Sequence, residues 1–69
     1  MKPNLQPYVG RIVRLKNETF QEIKRRARAH GLALENNFLV AEARQKLRQL
    51  VCYGSRYRVV VHFADVVLV

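Results

Sequence analysis

The residues of this chain that could act as metal ligands or nucleophiles are few and far apart. Cys52 is the one cysteine, and His30 and His62 are the two histidines. No two of these three residues lie at a spacing typical of a zinc site. Neither histidine is close enough in sequence to Cys52 to act as a base for its thiol. We therefore expect Cys52 to be a buried structural residue, and we expect no metal and no cofactor.

Acid–base chemistry has equally little support. Glu35 and Asp65 are the acidic residues that lie away from the predicted helices, and neither has a second carboxylate at a useful spacing. Capping of turns is the expected role of both. The sequence also has no glycine-rich phosphate loop and no nucleophile elbow. We therefore expect a protein without enzymatic activity.

Positive charge is the dominant chemical feature. The 69 residues include 13 Lys and Arg but only 5 Asp and Glu, a formal net charge of +8, and the basic residues recur in nearly every segment. A small domain with this charge attracts polyanions. Tyr53 and Tyr57 flank a predicted turn at Gly54-Ser55 and could stack on unpaired bases.

The predicted function is therefore non-enzymatic binding of RNA or DNA through a basic face. The expected contact residues are Arg11, Arg14, Lys24, Arg25, Arg28, Arg48, Tyr53, Arg56, Tyr57 and Arg58. Two alternatives are a protein-interaction module, which binds an acidic partner or itself through strand edges, and a helix-turn-helix DNA-binding regulator. The basic residues could also be solvated faces that keep a small apolar domain soluble.

Length and composition predict a single folded domain. Apolar residues make up 49% of the chain, which is too many for a disordered segment. The longest uninterrupted apolar runs are residues 38–41 and 66–69, whereas a membrane span needs about 20 residues. With no export signal and a single thiol, we expect a cytoplasmic location and no membrane partner. Residues 1–7 are predicted to be an extended arm, and residues 8–69 a single small basic domain.

Local patterns predict the first two elements. The pattern of residues 8–15 predicts a strand, in which Gly10 would permit a bend. Residues 17–30 form the clearest helix, because an apolar stripe recurs at helical spacing. Thr19 and Glu22 predict a capping box at its start, and Gly31 is expected to end it. The stripe consists of Phe20, Ile23, Ala27 and His30.

Residues 36–53 leave two interpretations open. Leu39, Ala43, Leu47 and Leu50 keep a helical period, but the short apolar runs at residues 38–41 and 50–53 favour two strands. Residues 57–62 are rich in β-branched residues and predict a strand, residues 63–65 interrupt it, and residues 66–69 resume it. Such an apolar end must be covered, because an exposed strand of this kind pairs readily with other chains.

The C-terminal third resembles the end of SH3-like small β-barrels. There a strong strand (residues 57–62) meets one short helical turn (63–65), and a brief last strand (66–69) closes the barrel beside the first strand (8–15). The resemblance implies an α+β fold, a small SH3-like five-stranded antiparallel barrel with one helix inserted after the first strand. The glycine motif of ribosomal KOW barrels and the Asp-Asn pocket of Sm-like proteins are missing, so no family binding residue is carried over.

A second resemblance is to the helix-turn-helix of small repressors. Ala27 and Gly31, with Leu32 next and Val40 beyond, look like the residues that open the turn before a recognition helix. Asn37 stands where that motif has a buried aliphatic residue. This resemblance implies a second helix within residues 36–53. In general appearance the chain also resembles orphan proteins of bacterial mobile gene cassettes.

Overall fold

The computed structural model describes residues 4–69, which form one helix and a five-stranded antiparallel sheet. The elements in chain order are β1 (Ile12–Leu15), α1 (Asn17–Ala29), β2 (Phe38–Arg44), β3 (Gln49–Tyr53), β4 (Arg58–His62) and β5 (Val66–Leu68). Short 3-10 turns lie at Gln6–Tyr8, Gln45–Leu47 and Phe63–Asp65. The strand order is β4-β3-β2-β1-β5. The α+β class and the helix after the first strand are confirmed.

The ambiguous middle of the chain forms two strands. β2 pairs with both β1 and β3, and β3 pairs with both β2 and β4, so the two apolar runs supply the centre of the sheet. The connection between them is tight, and Arg48 adopts the left-handed conformation there, with φ 54°. Leu47, which contributed to the helical period, is exposed in this turn. Within residues 4–69 no second α-helix follows α1, so the helix-turn-helix fold is wrong.

The helix begins at the predicted residue but without the predicted capping box, and its C-terminal end agrees with the prediction. α1 begins at Asn17 after Lys16, and no side chain caps it. Thr19 is the third helical residue, so the predicted capping box is wrong. At the other end Gly31 has φ 74°, and its N–H donates to the carbonyl of Arg28. The N–H of Leu32 donates to the carbonyl of Ala27, which completes a Schellman motif.

The N-terminal segment is packed rather than extended. Leu5 is completely buried in the core, and its N–H donates to Gln45 Oε1 at 2.9 Å. The turn at Gln6–Tyr8 and the positive φ of Gly10 (84°) redirect the chain, so β1 begins at Ile12 instead of residue 8. Residues 1–3 of the predicted arm lie outside the described residues. From Leu5 onward the segment belongs to the domain.

The core lies on one face of the sheet and is built mainly from strand residues. The helix contributes Phe20 to it, while Ile23 and Leu34 pack at its margin. The strands contribute Val13, Leu15, Phe38, Val40, Leu50, Cys52, Val59, Val61 and Val66. Asn36 fixes the loop that follows the helix, because its side-chain amide accepts from Leu15 N at 2.8 Å and donates to Leu15 O at 3.0 Å. The loop that follows α1 is therefore anchored to β1.

Candidate nucleic-acid interface

The helix gathers three of the predicted contact residues. Lys24 and Arg28 are one helical turn apart, and Arg25 lies beside them, so all three share one side of α1. With Gln21 they line an open cleft of about 190 Å³. Lys24 and Arg28 also line a neighbouring open cleft of about 530 Å³, whose other wall is the loop at residues 31–34. We call Lys24, Arg25 and Arg28 the helix surface.

The positive charge of the helix surface is not neutralised within the described residues. Neither cleft has an acidic side chain in its lining. Among residues 4–69 the one ion pair joins Arg26 Nη2 to Glu22 Oε1 at 3.0 Å, and both of these side chains are exposed. The ammonium of Lys24 lies 5.9 Å from the centre of the Phe20 ring, a cation–π contact that orients it. The cluster therefore presents uncompensated positive charge.

A second surface is formed by the face of the sheet that points away from the core. Side chains alternate along a strand, so Ile12 and Arg14 of β1 lie opposite to the buried Val13 and Leu15. The register then builds one row across four strands: Ile12 pairs with Leu39, Leu39 with Tyr53, and Tyr53 with Arg58. Alongside this row, Arg14 pairs with Val67 and Val51 pairs with Val60, although Val51 itself is buried.

This face exposes an apolar group flanked by arginines. We call the sheet surface the set Ile12, Arg14, Leu39, Tyr53, Arg58, Val60 and Val67. Its five apolar and aromatic members are between 37% (Val60) and 52% (Val67) exposed, and both arginines are exposed. An exposed apolar patch of this kind marks an interaction site where its area exceeds a few hundred Å².

The structure separates the remaining predicted contact residues. Arg11 is exposed just before β1, while Arg48 and Arg56 lie in turns at opposite ends of β3, a strand roughly 17 Å long at about 3.3 Å per residue. Tyr57 is half-buried and packs against the core, so its ring is committed to packing. Of the two tyrosines proposed to stack on bases, Tyr53 is the one that the sheet surface presents.

The residues considered for catalysis are placed in structural positions. Cys52 is completely buried, as expected, and burial raises the pKa of its thiol to about 11. The thiol is therefore protonated and inaccessible at neutral pH. His62 Nδ1 accepts the N–H of Ala64 at 3.1 Å, which starts the turn before β5. Within residues 4–69 no three His, Cys, Asp or Glu side chains cluster in a way that could hold a metal ion.

The apolar sheet surface was missed by sequence reasoning, although a signal for it exists. In a strand with one solvent-exposed face, apolar and polar residues alternate along the sequence. The run Val59-Val60-Val61 is instead apolar throughout. The run Phe38-Leu39-Val40 has the same property. Uninterrupted runs of this kind place apolar side chains on both faces of a sheet, and only one face here is covered by the core.

None of the helices in residues 4–69 has the length and apolar character needed to cross a bilayer. A comparison of the chain with protein families, with curated proteins and with solved structures gave no match.

Proposed function

We propose that this protein binds RNA or DNA without enzymatic activity, through contact of the helix surface with backbone phosphates. The observation that carries the proposal is the grouping of Lys24, Arg25 and Arg28 around clefts that no carboxylate lines. Backbone contacts of this kind position a nucleic acid but carry no sequence information. The proposed binding is therefore tolerant of sequence and sensitive to salt.

The helix surface offers phosphate groups side-chain donors, namely two guanidinium groups and one ammonium. The N–H groups of Gly31 and Leu32 already donate to helix carbonyls, so they are not free to bind an anion. A guanidinium can hold a phosphate through two parallel hydrogen bonds, and the ammonium adds a point charge.

Charge reversal at Arg28 tests this proposal. We expect Arg28→Glu to weaken binding of every sequence similarly, and to make the slope of log affinity against log salt shallower by about 0.7 to 0.9 for the lost contact. Fluorescence anisotropy with labelled random single strands and duplexes, measured over a series of salt concentrations, gives both quantities.

The matched control is Arg26→Glu, which makes the same charge change on the same helix but removes an arginine paired with Glu22. An equal loss in both variants would assign the effect to net charge instead of to the helix surface. Failure of the unaltered protein to bind either RNA or DNA at about 50 mM salt would refute the proposal itself.

An SH3-like barrel and a cytoplasmic location are further parts of the proposal. The barrel is supported by the turn at Phe63–Asp65 and by the pairing of β5 beside β1, with Leu15 opposite Val66. β4 and β5 are the two edges of the sheet and do not pair with each other. A cytoplasmic location is supported by the single thiol, which is buried and free.

A second candidate function is protein interaction through the sheet edges. Within residues 4–69, β4 and β5 each have a strand neighbour on one side only, and Leu68 is 43% exposed at the β5 edge. Edges of this kind pair with other strands. The basic residues of the helix surface and the sheet surface would also suit an acidic protein partner.

Self-association through the β5 edge is tested by sedimentation velocity. On this second candidate, the unaltered protein should shift from monomer to dimer as its concentration rises, whereas Leu68→Lys should stay monomeric because a charged edge resists pairing. Val9→Lys is the control, since Val9 is exposed to a similar extent but lies outside the strands. A monomer at every concentration would argue against the edges as the site of self-association.

A further inference from the structure

We infer that the sheet surface binds unpaired nucleotide bases, so that the protein binds single-stranded RNA or DNA in preference to duplex. The inference rests on the proposed function in that its ligand is a nucleic acid. It adds a second surface, on the side of the sheet away from the core, and it specifies the class of nucleic acid.

The row across the sheet has the composition that unpaired bases require. Tyr53 is 46% exposed, so its ring is available for a base to stack on, and stacking of this kind tolerates any base. Its neighbour in the row, Leu39, is 44% exposed, and Ile12 beyond it is 45% exposed. At about 4.8 Å between adjacent strands, the three side chains extend over roughly 10 Å. We call these three side chains the apolar floor.

The charges around the row are complementary to a nucleic-acid strand. Arg58 ends the row directly beside Tyr53, and Arg14 lies on the neighbouring side of Ile12 along β1. Both can contact backbone phosphates while bases lie on the apolar floor. Glu42, opposite Val51, is the acidic residue that the register places on this face. The cations therefore flank the base-binding row, and the carboxylate lies in the next row.

The same charges argue against the other occupants of this face. A second copy of the chain would bring Arg14 and Arg58 against like charges, with a formal net charge of +8 on each copy. A duplex keeps its bases stacked inside the helix and offers this face phosphates, sugars and base edges, but no free base ring. Its binding would leave the apolar floor in water, whereas a single strand covers the floor and the arginines together.

The test compares Tyr53→Ala with Tyr53→Phe, using labelled oligothymidylate and a duplex of equal length at one salt concentration. We expect Tyr53→Ala to weaken single-strand binding by about 5- to 150-fold, the range found for loss of one stacked base. Duplex binding should be unchanged, and Tyr53→Phe should keep full single-strand affinity because the ring remains. Leu47→Ala is the control, since Leu47 is 61% exposed but lies outside the sheet surface.

A second measurement does not depend on the stability of a variant. Tyrosine fluorescence of the unaltered protein should be quenched by oligothymidylate and not by the duplex, because a stacked base quenches the exposed ring of Tyr53. Equal affinity for single strands and duplex, with no selective quenching, would overturn the inference. The proposed function would survive that result if Arg28→Glu still weakened binding.

Other outcomes are also decisive. A protein that binds neither form of nucleic acid would refute the inference and the proposed function together. A dimer that Tyr53→Ala or Leu39→Ala dissociates would assign the sheet surface to a second copy of the chain, and would likewise overturn the inference.

Discussion

Removal of residues 66–69 is expected to leave the chain unfolded or aggregated. β5 is the only strand beside β1 on that side of the sheet, and its register places Val66 opposite Leu15 and Leu68 opposite Val13. The deletion removes Val66 from the core and exposes the backbone groups of a short central strand. At about 1 kcal/mol for each hydrogen bond and about 1.5 to 3 kcal/mol for a buried valine, the loss approaches the total stability of a small domain.

Thermal melting followed by circular dichroism measures this effect, and deletion of Val69 alone is the matched control. Val69 is 62% exposed, although its N–H donates to the carbonyl of Ile12. A melting temperature for the four-residue deletion within a few degrees of the full chain would show that β5 is dispensable. The sequence predicts four buried side chains here, but only Val66 is buried, so the backbone pairing carries much of the expected loss.

Leu5→Ala is expected to destabilise the protein by about 2 to 5 kcal/mol, the range for removing most of a buried leucine side chain from a packed core. Leu5 has no exposed surface and belongs to the same cluster as the strand residues of the core. Urea unfolding measures the change, with Gln6→Ala as the control because Gln6 is exposed and adjacent. An unchanged midpoint for Leu5→Ala would contradict the burial of this segment.

The burial of Leu5 bears on the prediction that residues 1–7 form an extended arm. A truncation of residues 1–5 removes Leu5, so it is expected to be as harmful as the substitution. The sequence could not indicate this, because Leu5 stands alone between Asn4 and Gln6 and belongs to no apolar period. Its burial depends on partners distant in sequence, among them Gln45, whose side chain accepts the N–H of Leu5. Contacts between residues far apart in the sequence leave no pattern in the local sequence around either residue.

The elements that were predicted correctly have local causes. Phe20, Ile23 and Ala27 of the predicted stripe place α1, and the glycine at position 31 ends it through its left-handed conformation. The fourth member of that stripe, His30, is exposed and lies just after the helix. The β-branched run before Phe63 predicts β4 for a similar reason. The two strands within residues 36–53 were left ambiguous, because their pairing with β1 and β4 is what stabilises them.

The candidate site was predictable in part. Exposed arginines and lysines can be expected from charge alone, and the helical spacing of Lys24, Arg25 and Arg28 already places them together. The exposed or buried state of the tyrosines depends on which face of the sheet each occupies. Tyr53, at the end of β3, lies on the sheet surface, whereas Tyr57, just before β4, packs against the core.

β2 contains a β-bulge between Val40 and Glu42, and the bulge determines where this strand can change in length. Val40 pairs with Cys52 and Glu42 with Val51, so Ala41 has no partner of its own and is an extra residue in the strand. Loss of Ala41 would restore simple alternation without moving Val40 or Ala43 off the core face. Elsewhere in β2, insertion or deletion of one residue would move the side chains that follow it in this strand to the opposite face. Position 41 is thus where this strand can change in residue number while the domain keeps its core.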